Sequence, residues 1–326
     1  MTPEQKFCMS NFVARGRTLS FSVFAFAAVA IFPSAKAQTS QDRAQLTRDQ
    51  TATAPGPTVT TTGVDDTHVV TSPNDEDLGE QQILKKADSY QAFTASVGAP
   101  FYWTSNVALT NEGEQSDFLV SPVAAIAYQP RLTQTLYGLI SVREQMFYYD
   151  RLTSFDFGSF DVEVGFTYQL PQFHNLVLHA EYDYNRLTEK NSFNDFFSNH
   201  IITVSAEMPF PLSRAQQLSV GADVNFSITA TPEPPRRDDF EVYLGYSVQL
   251  ARALFLSATG RLVLHDYVLS DRLDVSEVVA LSANYSISKY LSASAIASFA
   301  ANQSNHSTFD YHVVNGGGAV SLSIRF

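Results

Sequence analysis

From residue 90 to the end of the chain, apolar and polar side chains alternate in segments of about 10 to 14 residues. The clearest segments span residues 218–230 and 240–250, where one set of alternate positions is apolar and the other carries Ser, Gly, Asp, Asn, Glu and Gln. Because successive side chains of a β-strand point to opposite faces, a period of two is typical of strands with one apolar face. The pattern predicts an all-β fold.

The segments are separated by polar turn signals, and we count twelve of them. Residues 58–71 could add a further strand, and the first two segments alternate poorly around Pro100 and Pro122, so counts of 10, 12 and 14 strands all remain open. The twelve segments are residues 91–104, 118–129, 136–149, 158–170, 176–186, 200–210, 218–230, 240–250, 254–268, 276–288, 290–301 and 312–326.

The connections between these segments alternate between short or tight turns and mostly longer, polar loops. Short turns on one side, long loops on the other and both ends of the barrel on the short side are typical of a transmembrane antiparallel up-and-down β-barrel. A soluble β-sandwich or a soluble barrel would also alternate, but twelve apolar strand faces would overfill its interior. The 25 Phe and 15 Tyr residues also concentrate near strand ends, as membrane-interface girdles require.

The amino terminus has the features of a secretory signal peptide over residues 1–37. Lys6, Arg15 and Arg17 precede the apolar stretch 19–32, and an Ala-x-Ala cleavage site ends at Ala37. Cleavage there would remove Cys8, the single cysteine, and would change the net charge from −12 to −15, because the leader carries four basic residues and one acid. Such an acidic chain is a poor partner for nucleic acid.

Residues 38–89 differ from the rest of the chain because they are rich in Thr, Pro and Asp and contain almost no aromatic residue. This composition offers too little apolar surface to offset chain entropy. We therefore expect a flexible periplasmic segment, followed by the barrel over residues 90–326. A plug or a cell-wall tether is the alternative, without a motif to support it.

The last nine residues, GAVSLSIRF, alternate down to an aromatic carboxy terminus, with Val320, Leu322, Ile324 and Phe326 on one face. Residues 90–326 resemble a bacterial outer-membrane β-barrel protein, and this terminal strand resembles the signal that the barrel-assembly machinery reads. Gly316 and Gly318 stand where that signal often has aromatic residues. The resemblance implies a Gram-negative outer membrane with its lipid around the barrel, the amino-terminal segment in the periplasm, and passive transport as the commonest role.

If the apolar positions face lipid, the polar positions face the barrel lumen. The third to fifth segments then supply six lumen and selectivity candidates, namely Arg143, Asp161, Glu163, His179, Glu181 and Asp183. With five further inward residues, the lining holds seven acids and three arginines, which disfavours anions. The five are Glu207, Asp223, Glu241, Arg261 and Arg325.

Hairpin geometry predicts specific neighbours within this lining. Glu163 should lie opposite Asp183, Thr167 opposite His179, and Arg143 beside Glu163. The alternative interpretation of these charges is a salt-bridged network that holds a narrow barrel together. Glu144 falls on the lipid-facing positions, which indicates a β-bulge or a place near the outer interface.

The His-x-Ser pair of outer-membrane phospholipases is absent from the sequence, because none of the seven histidines is followed two residues later by Ser. His179 with Glu181 and Thr167 resembles an acid–base group, but we interpret it as part of a polar network. The sequence contains no zinc-ligand spacing and no cofactor motif, so we expect neither a catalytic residue nor a metal nor a cofactor.

The expected function is therefore a monomeric, narrow and passive channel for small hydrophilic solutes, mildly cation-preferring. The first alternative is a structural or adhesive surface barrel with a closed lumen and ligand-binding extracellular loops. The second is an outer-membrane hydrolase. The class of barrel does not by itself imply transport.

Overall fold

A computed structural model describes residues 36–50, 90–190, 192 and 194–326 of the 326-residue chain. Almost all of the part from residue 93 onward is antiparallel β-sheet, in which each strand pairs with its neighbours in sequence. The last strand pairs with the first, so the sheet closes into a barrel. The predicted signal peptide lies, apart from residues 36 and 37, outside the described residues.

The barrel has twelve strands, one of which is interrupted at Ser121 and Pro122. The two halves of this strand, β2 and β3, both pair with β1 and with β4. The strands are β1 (Phe93–Thr104), β2 (Asp117–Val120), β3 (Val123–Tyr128), β4 (Leu136–Tyr149), β5 (Phe157–Leu170), β6 (Leu176–Glu189), β7 (Asp195–Pro211), β8 (Gln216–Thr231), β9 (Arg237–Ala251), β10 (Leu254–Tyr267), β11 (Leu273–Ser286), β12 (Leu291–Ser304) and β13 (Tyr311–Arg325).

The two ends of the barrel differ. At the turn end, where β1 starts and β13 finishes, three of the five connections have four residues or fewer; residues 252–253 alone join β9 to β10. At the loop end the first connection, residues 105–116, is the longest, and two others contain the short 3₁₀ helices Thr153–Phe155 and Ser307–Phe309. Membrane barrels typically have short turns at the end where the first strand begins and the last strand finishes.

The twelve predicted strands are confirmed, but several are longer at the loop end than the sequence indicated. Strand β6 continues to Glu189, β7 already starts at Asp195 and β12 continues to Ser304. These extensions contain little alternation, because strand residues beyond the apolar belt no longer need a lipid-facing side chain. The connections at the loop end are correspondingly shorter than expected.

Residues 36–50 form an α-helix, α1, whose side chains contact the inside of the barrel. Flexible chain was expected over residues 38–89, and this prediction was wrong for residues 38–50, while residues 51–89 lie outside the described part. The sequence KAQTSQDRAQLTRDQ is polar on all sides. In a lumen lined by polar groups such a helix finds hydrogen-bonding partners on several sides, so it needs no apolar stripe.

The outer surface of the barrel is apolar. Large exposed side chains follow the outward positions of every full-length strand, for example Val220 on β8, Val242 and Leu244 on β9, and Leu262 on β10. A continuous belt of this kind is stable only when lipid covers it. Among the residues that the structure describes, no helix is both long and apolar enough to cross a bilayer.

Candidate functional site in the barrel lumen

Two of the predicted cross-strand neighbours in the lumen are confirmed. On the β5–β6 ladder Glu163 pairs with Asp183 and Thr167 pairs with His179. The five-residue connection 171–175 fixes this register, and one face of the hairpin therefore carries the acidic residues inward. The lumen candidates on β5 and β6 share one wall of the barrel.

The predicted neighbour of Arg143 was wrong, because the register of β4 against β5 differs by two residues from the expected one. Arg143 of β4 pairs with Asp161, whereas Ser141 pairs with Glu163. The Arg143 Nη2 atom donates to Gln145 Oε1 at 2.6 Å. Residues two apart on a strand share a face, so Arg143 still points into the lumen although its cross-strand neighbour differs from the predicted one. In the described part of the chain Arg143 forms no ion pair with Glu163 or with Asp183, so the network expected from the sequence does not form through Arg143.

His179 joins a short polar relay nearer the turn end. Its Nδ1 atom lies 2.9 Å from Thr167 Oγ1, and its Nε2 atom lies 2.7 Å from Glu181 Oε2. A hydroxyl, an imidazole and a carboxylate in this order resemble a nucleophile with its base. The backbone N–H groups of both strands are engaged in ladder hydrogen bonds, so they cannot stabilise an oxyanion here. The arrangement suits a structural network better than acyl transfer.

The positive partner of Asp161 comes from helix α1 and not from a neighbouring strand. Arg48 Nη1 forms an ion pair with Asp161 Oδ1 at 3.0 Å, and the Asp161 side chain is only 5% exposed. Asn185 Nδ2 also donates to Asp161 Oδ1, at 2.6 Å. At the carboxyl end of α1, Gln50 Oε1 accepts from Ser298 Oγ at 2.7 Å and from Asn315 Nδ2 at 3.1 Å.

A second buried group of charges holds the other side of α1. Arg237, the first residue of β9, donates to Asp42 and to Gln45 of the helix. The Nε atom of Arg237 lies 3.0 Å from Asp239 Oδ1, and His265 Nδ1 lies 2.6 Å from the same oxygen. The Arg237 side chain is 2% exposed, so its charge depends on these protein partners.

One side of the lumen at the loop end is apolar. Ala37 and Ala44 of α1 pack in one buried cluster with inward side chains of the strands. Phe147 and Phe157 face each other across the β4–β5 ladder with ring centroids 4.3 Å apart. Leu187 and Phe197 belong to the same cluster. In the conformation described, helix and cluster both lie at this end of the barrel.

Below the cluster, a chamber of about 230 Å³ lies between α1 and strands β5 to β10. Acidic side chains outnumber basic ones in its lining, which contains seven carboxylates and three arginines. The carboxylates are Asp49, Glu163, Glu181, Asp183, Asp223, Asp239 and Glu241, and the arginines are Arg48, Arg237 and Arg261. Arg261 forms an ion pair with Glu241. The lining of this chamber would therefore attract cations and repel anions.

Asp49 of α1 is the one chamber carboxylate on the helix. Burial raises the pKa of the Asp49 carboxyl from 3.8 to about 7, with Glu241 adding to the rise and Arg261 and Arg48 opposing it. A raised pKa favours the protonated, neutral form of this carboxyl in the docked helix.

Glu144 lies on the outer face of the barrel, as its position in the sequence indicated. The ladders on both sides of β4 continue past it without a register shift, so the predicted bulge does not occur there. Glu144 pairs with Phe160, and the Arg186 guanidinium lies over the ring of Phe160 at 5.6 Å. These residues form a polar patch in the loop half of the outer belt.

Sequence reasoning missed the residues of α1 and their partners Arg237, Asp239 and His265. The helix was overlooked because low hydrophobicity is also typical of disordered chain. Arg237 and Asp239 fell in a stretch that was interpreted as a loop. Within the described residues, no group of three or more His, Cys, Asp or Glu side chains is arranged to hold a metal ion.

The sequence matches no model of a protein family, and no curated protein matches it. Solved structures do match. An outer membrane channel from Pseudomonas putida F1 is 11% identical, with a TM-score of 0.50 over 73% of this chain and 99% of that one. The chain has the fold of bacterial outer-membrane barrels. An anion-selective porin from Comamonas acidovorans is 8% identical, with a TM-score of 0.39 over 72% of this chain and 99% of the porin.

Proposed function

We propose that the protein is a narrow, passive channel for small hydrophilic solutes in the outer membrane of a Gram-negative bacterium, mildly cation-preferring and closed by α1 in the conformation described. The observation that carries this proposal is the chamber beside α1. It is polar, has room for several water molecules, and is bordered by seven carboxylates and three arginines. Transport of this kind requires no energy coupling and no catalytic step.

The position of α1 determines how the channel would work. The helix and the apolar cluster occupy the loop half of the lumen, and the acidic chamber lies alongside the helix. Ion pairs such as Arg48 with Asp161 are reversible, so displacement of the helix would connect the chamber to the loop end. The acidic wall formed by Glu163 and Asp183 would then select the passing ions.

A structural or adhesive barrel with a closed lumen is the second candidate, because the same helix and cluster seal the loop end. The two functions differ in what removal of the helix does. A channel gains conductance when the obstruction is deleted, whereas a barrel that serves only as a surface scaffold gains none that is selective.

The test is single-channel conductance in planar bilayers with a salt gradient. We would compare three proteins. The first is the chain starting at Gln38, the second lacks residues 38–50, and the third combines this deletion with Glu163→Gln and Asp183→Asn. We expect small or rare current steps from the first, larger cation-preferring steps from the second, and weaker cation preference in the third. A folded deletion variant that passes no current would refute the channel and favour the scaffold.

A further inference from the structure

The direction of α1 inside the barrel is set by its contacts with β9. Asp42 and Gln45 bind Arg237 at the start of β9, at the loop end, and Asp49 lines the chamber together with Glu241, four residues further along β9. Seven helical residues rise about 10 Å, and four strand residues advance about 13 Å. The helix therefore runs in the same direction as β9, from the loop end toward the turn end.

Contacts at both ends of the helix agree with this direction. Gln38 Nε2 donates to the hydroxyl of Tyr267, the last residue of β10 at the loop end, at 3.3 Å. The opposite end of the helix, at Gln50, contacts Ser298 in the middle of β12.

Buried charges fix this polarity against the reverse orientation. If α1 were turned end for end about residue 45, so that residues 42 and 48 exchanged levels, Arg48 would approach Arg237 and Asp42 would approach Asp161. Arg237 and Asp161 are both almost fully buried, and burying like charges together is strongly unfavourable. The observed orientation instead gives each of these side chains an opposite charge.

We infer that α1 threads the loop half of the lumen outward and presents the start of the mature chain at the cell surface. The loop end of a membrane barrel faces the exterior. The first strand nevertheless starts at the opposite, turn end, at Phe93. The amino-terminal part of the chain is therefore a surface-display element, and a segment fused to the amino side of Gln38 is exposed outside the cell. This inference does not depend on whether the barrel conducts.

The test is a short epitope tag inserted between Ala37 and Gln38, detected by antibody on intact cells. The same tag inserted in the loop 268–272 and in the turn 287–290 gives matched controls for the two ends of the barrel. We expect the tag before Gln38 to bind antibody on intact cells to the same extent as the loop tag. Binding only after the outer membrane is permeabilised, as for the turn tag, would overturn the inference.

A cysteine variant decides the question if the tag prevents assembly. Because Cys8 is the single cysteine and lies in the predicted leader, the mature chain offers no competing thiol. Gln38→Cys should react with a membrane-impermeant maleimide on intact cells, as Asp271→Cys at the loop end should, whereas Lys289→Cys in a turn should react only after permeabilisation. Reaction of Gln38→Cys only after permeabilisation would contradict the inference, whatever current the barrel passes.

Discussion

Phe93 and Phe326 join the two ends of the barrel sheet. Phe93 N donates to Phe326 O at 3.1 Å, and Phe326 N donates to Phe93 O at 3.0 Å. Their rings stack with centroids 5.6 Å apart and an interplanar angle of 7°. The carboxy-terminal residue is therefore held by backbone and side chain at the point where the barrel closes, in a place where chain ends usually fray.

The first prediction concerns Phe326→Ala. Loss of the stacked ring should lower the stability of the refolded barrel by about 0.5–1.5 kcal/mol. If Val320, Leu322, Ile324 and Phe326 also form the assembly signal, the amount of folded protein in the outer membrane should fall much more than this stability change explains. Folded and unfolded barrels migrate differently on gels unless the sample is heated. This shift gives the folded fraction of the refolded protein and the amount of folded protein in cells.

Phe173→Ala is the matched control for Phe326→Ala. Phe173 is 57% exposed in the turn between β5 and β6, and Phe326 is 63% exposed. Removal of either ring exposes little new surface, so a general loss of aromatic area would affect both variants equally. Equal folded amounts for both variants in cells would argue against an assembly signal at Phe326.

The second prediction concerns the ion pair that holds α1 to the barrel wall. Arg48→Ala removes the ion pair of Asp161 with the helix and leaves Asn185 and Ser159 as its hydrogen-bond partners. A buried group that loses a partner costs about 1–3 kcal/mol, and part of this should appear as weaker docking of the helix. We expect more frequent open steps in single-channel recordings, with the barrel itself still folded.

Arg131→Ala provides the control, because Arg131 lies exposed in the turn between β3 and β4. It removes the same charge from the chain without touching the lumen. Open steps that increase equally in both variants would attribute the effect to net charge rather than to the helix. No increase with Arg48→Ala would show that the helix is not the obstruction.

A third prediction follows from Asp49. Burial in the docked helix raises the pKa of Asp49 from 3.8 to about 7, so the docked state binds a proton more tightly than the undocked state. Docking is therefore most stable below pH 3.8 and weakens as the pH rises through 7. Single-channel activity should increase from pH 5 to pH 8, and Asp49→Asn should flatten that increase. Activity that falls over this range would contradict the assignment.

The strands and their facing directions followed from the sequence because lipid imposes a strict rule. Every second residue between the interfaces must be apolar, as in Val242, Leu244 and Tyr246 of β9, and tight turns then set the register of Glu163 with Asp183. Outside the lipid belt the rule no longer applies, so the predicted boundaries of β6, β7 and β12 stopped short of their loop ends.

The occupant of the lumen did not follow from the sequence for a different reason. A segment rich in polar side chains such as Arg43 is predicted to be disordered if those side chains are assumed to hydrogen-bond only to water. Inside the barrel, Arg43 Nη1 donates to Thr104 Oγ1 at 3.1 Å and Nη2 donates to the Val107 carbonyl at 2.8 Å. No local pattern reports that another part of the chain will supply those acceptors, because the partners are more than sixty residues away in sequence.

The last prediction distinguishes two adjacent glycines of the closing strand. A Cβ atom on Gly317 would lie 2.8 Å from the Cα atom of Tyr102 on β1 and would clash with the carbonyl of Phe101, while a Cβ on Gly316 would meet no atom within 4 Å. Since backbone cannot yield locally at a ladder, Gly317→Ala must push β13 away from β1. We expect it to destabilise the barrel by about 1–3 kcal/mol, as measured by urea unfolding in detergent, whereas Gly316→Ala should change little. Equal stability of the two variants would mean that the β1–β13 seam is looser than its hydrogen bonds indicate.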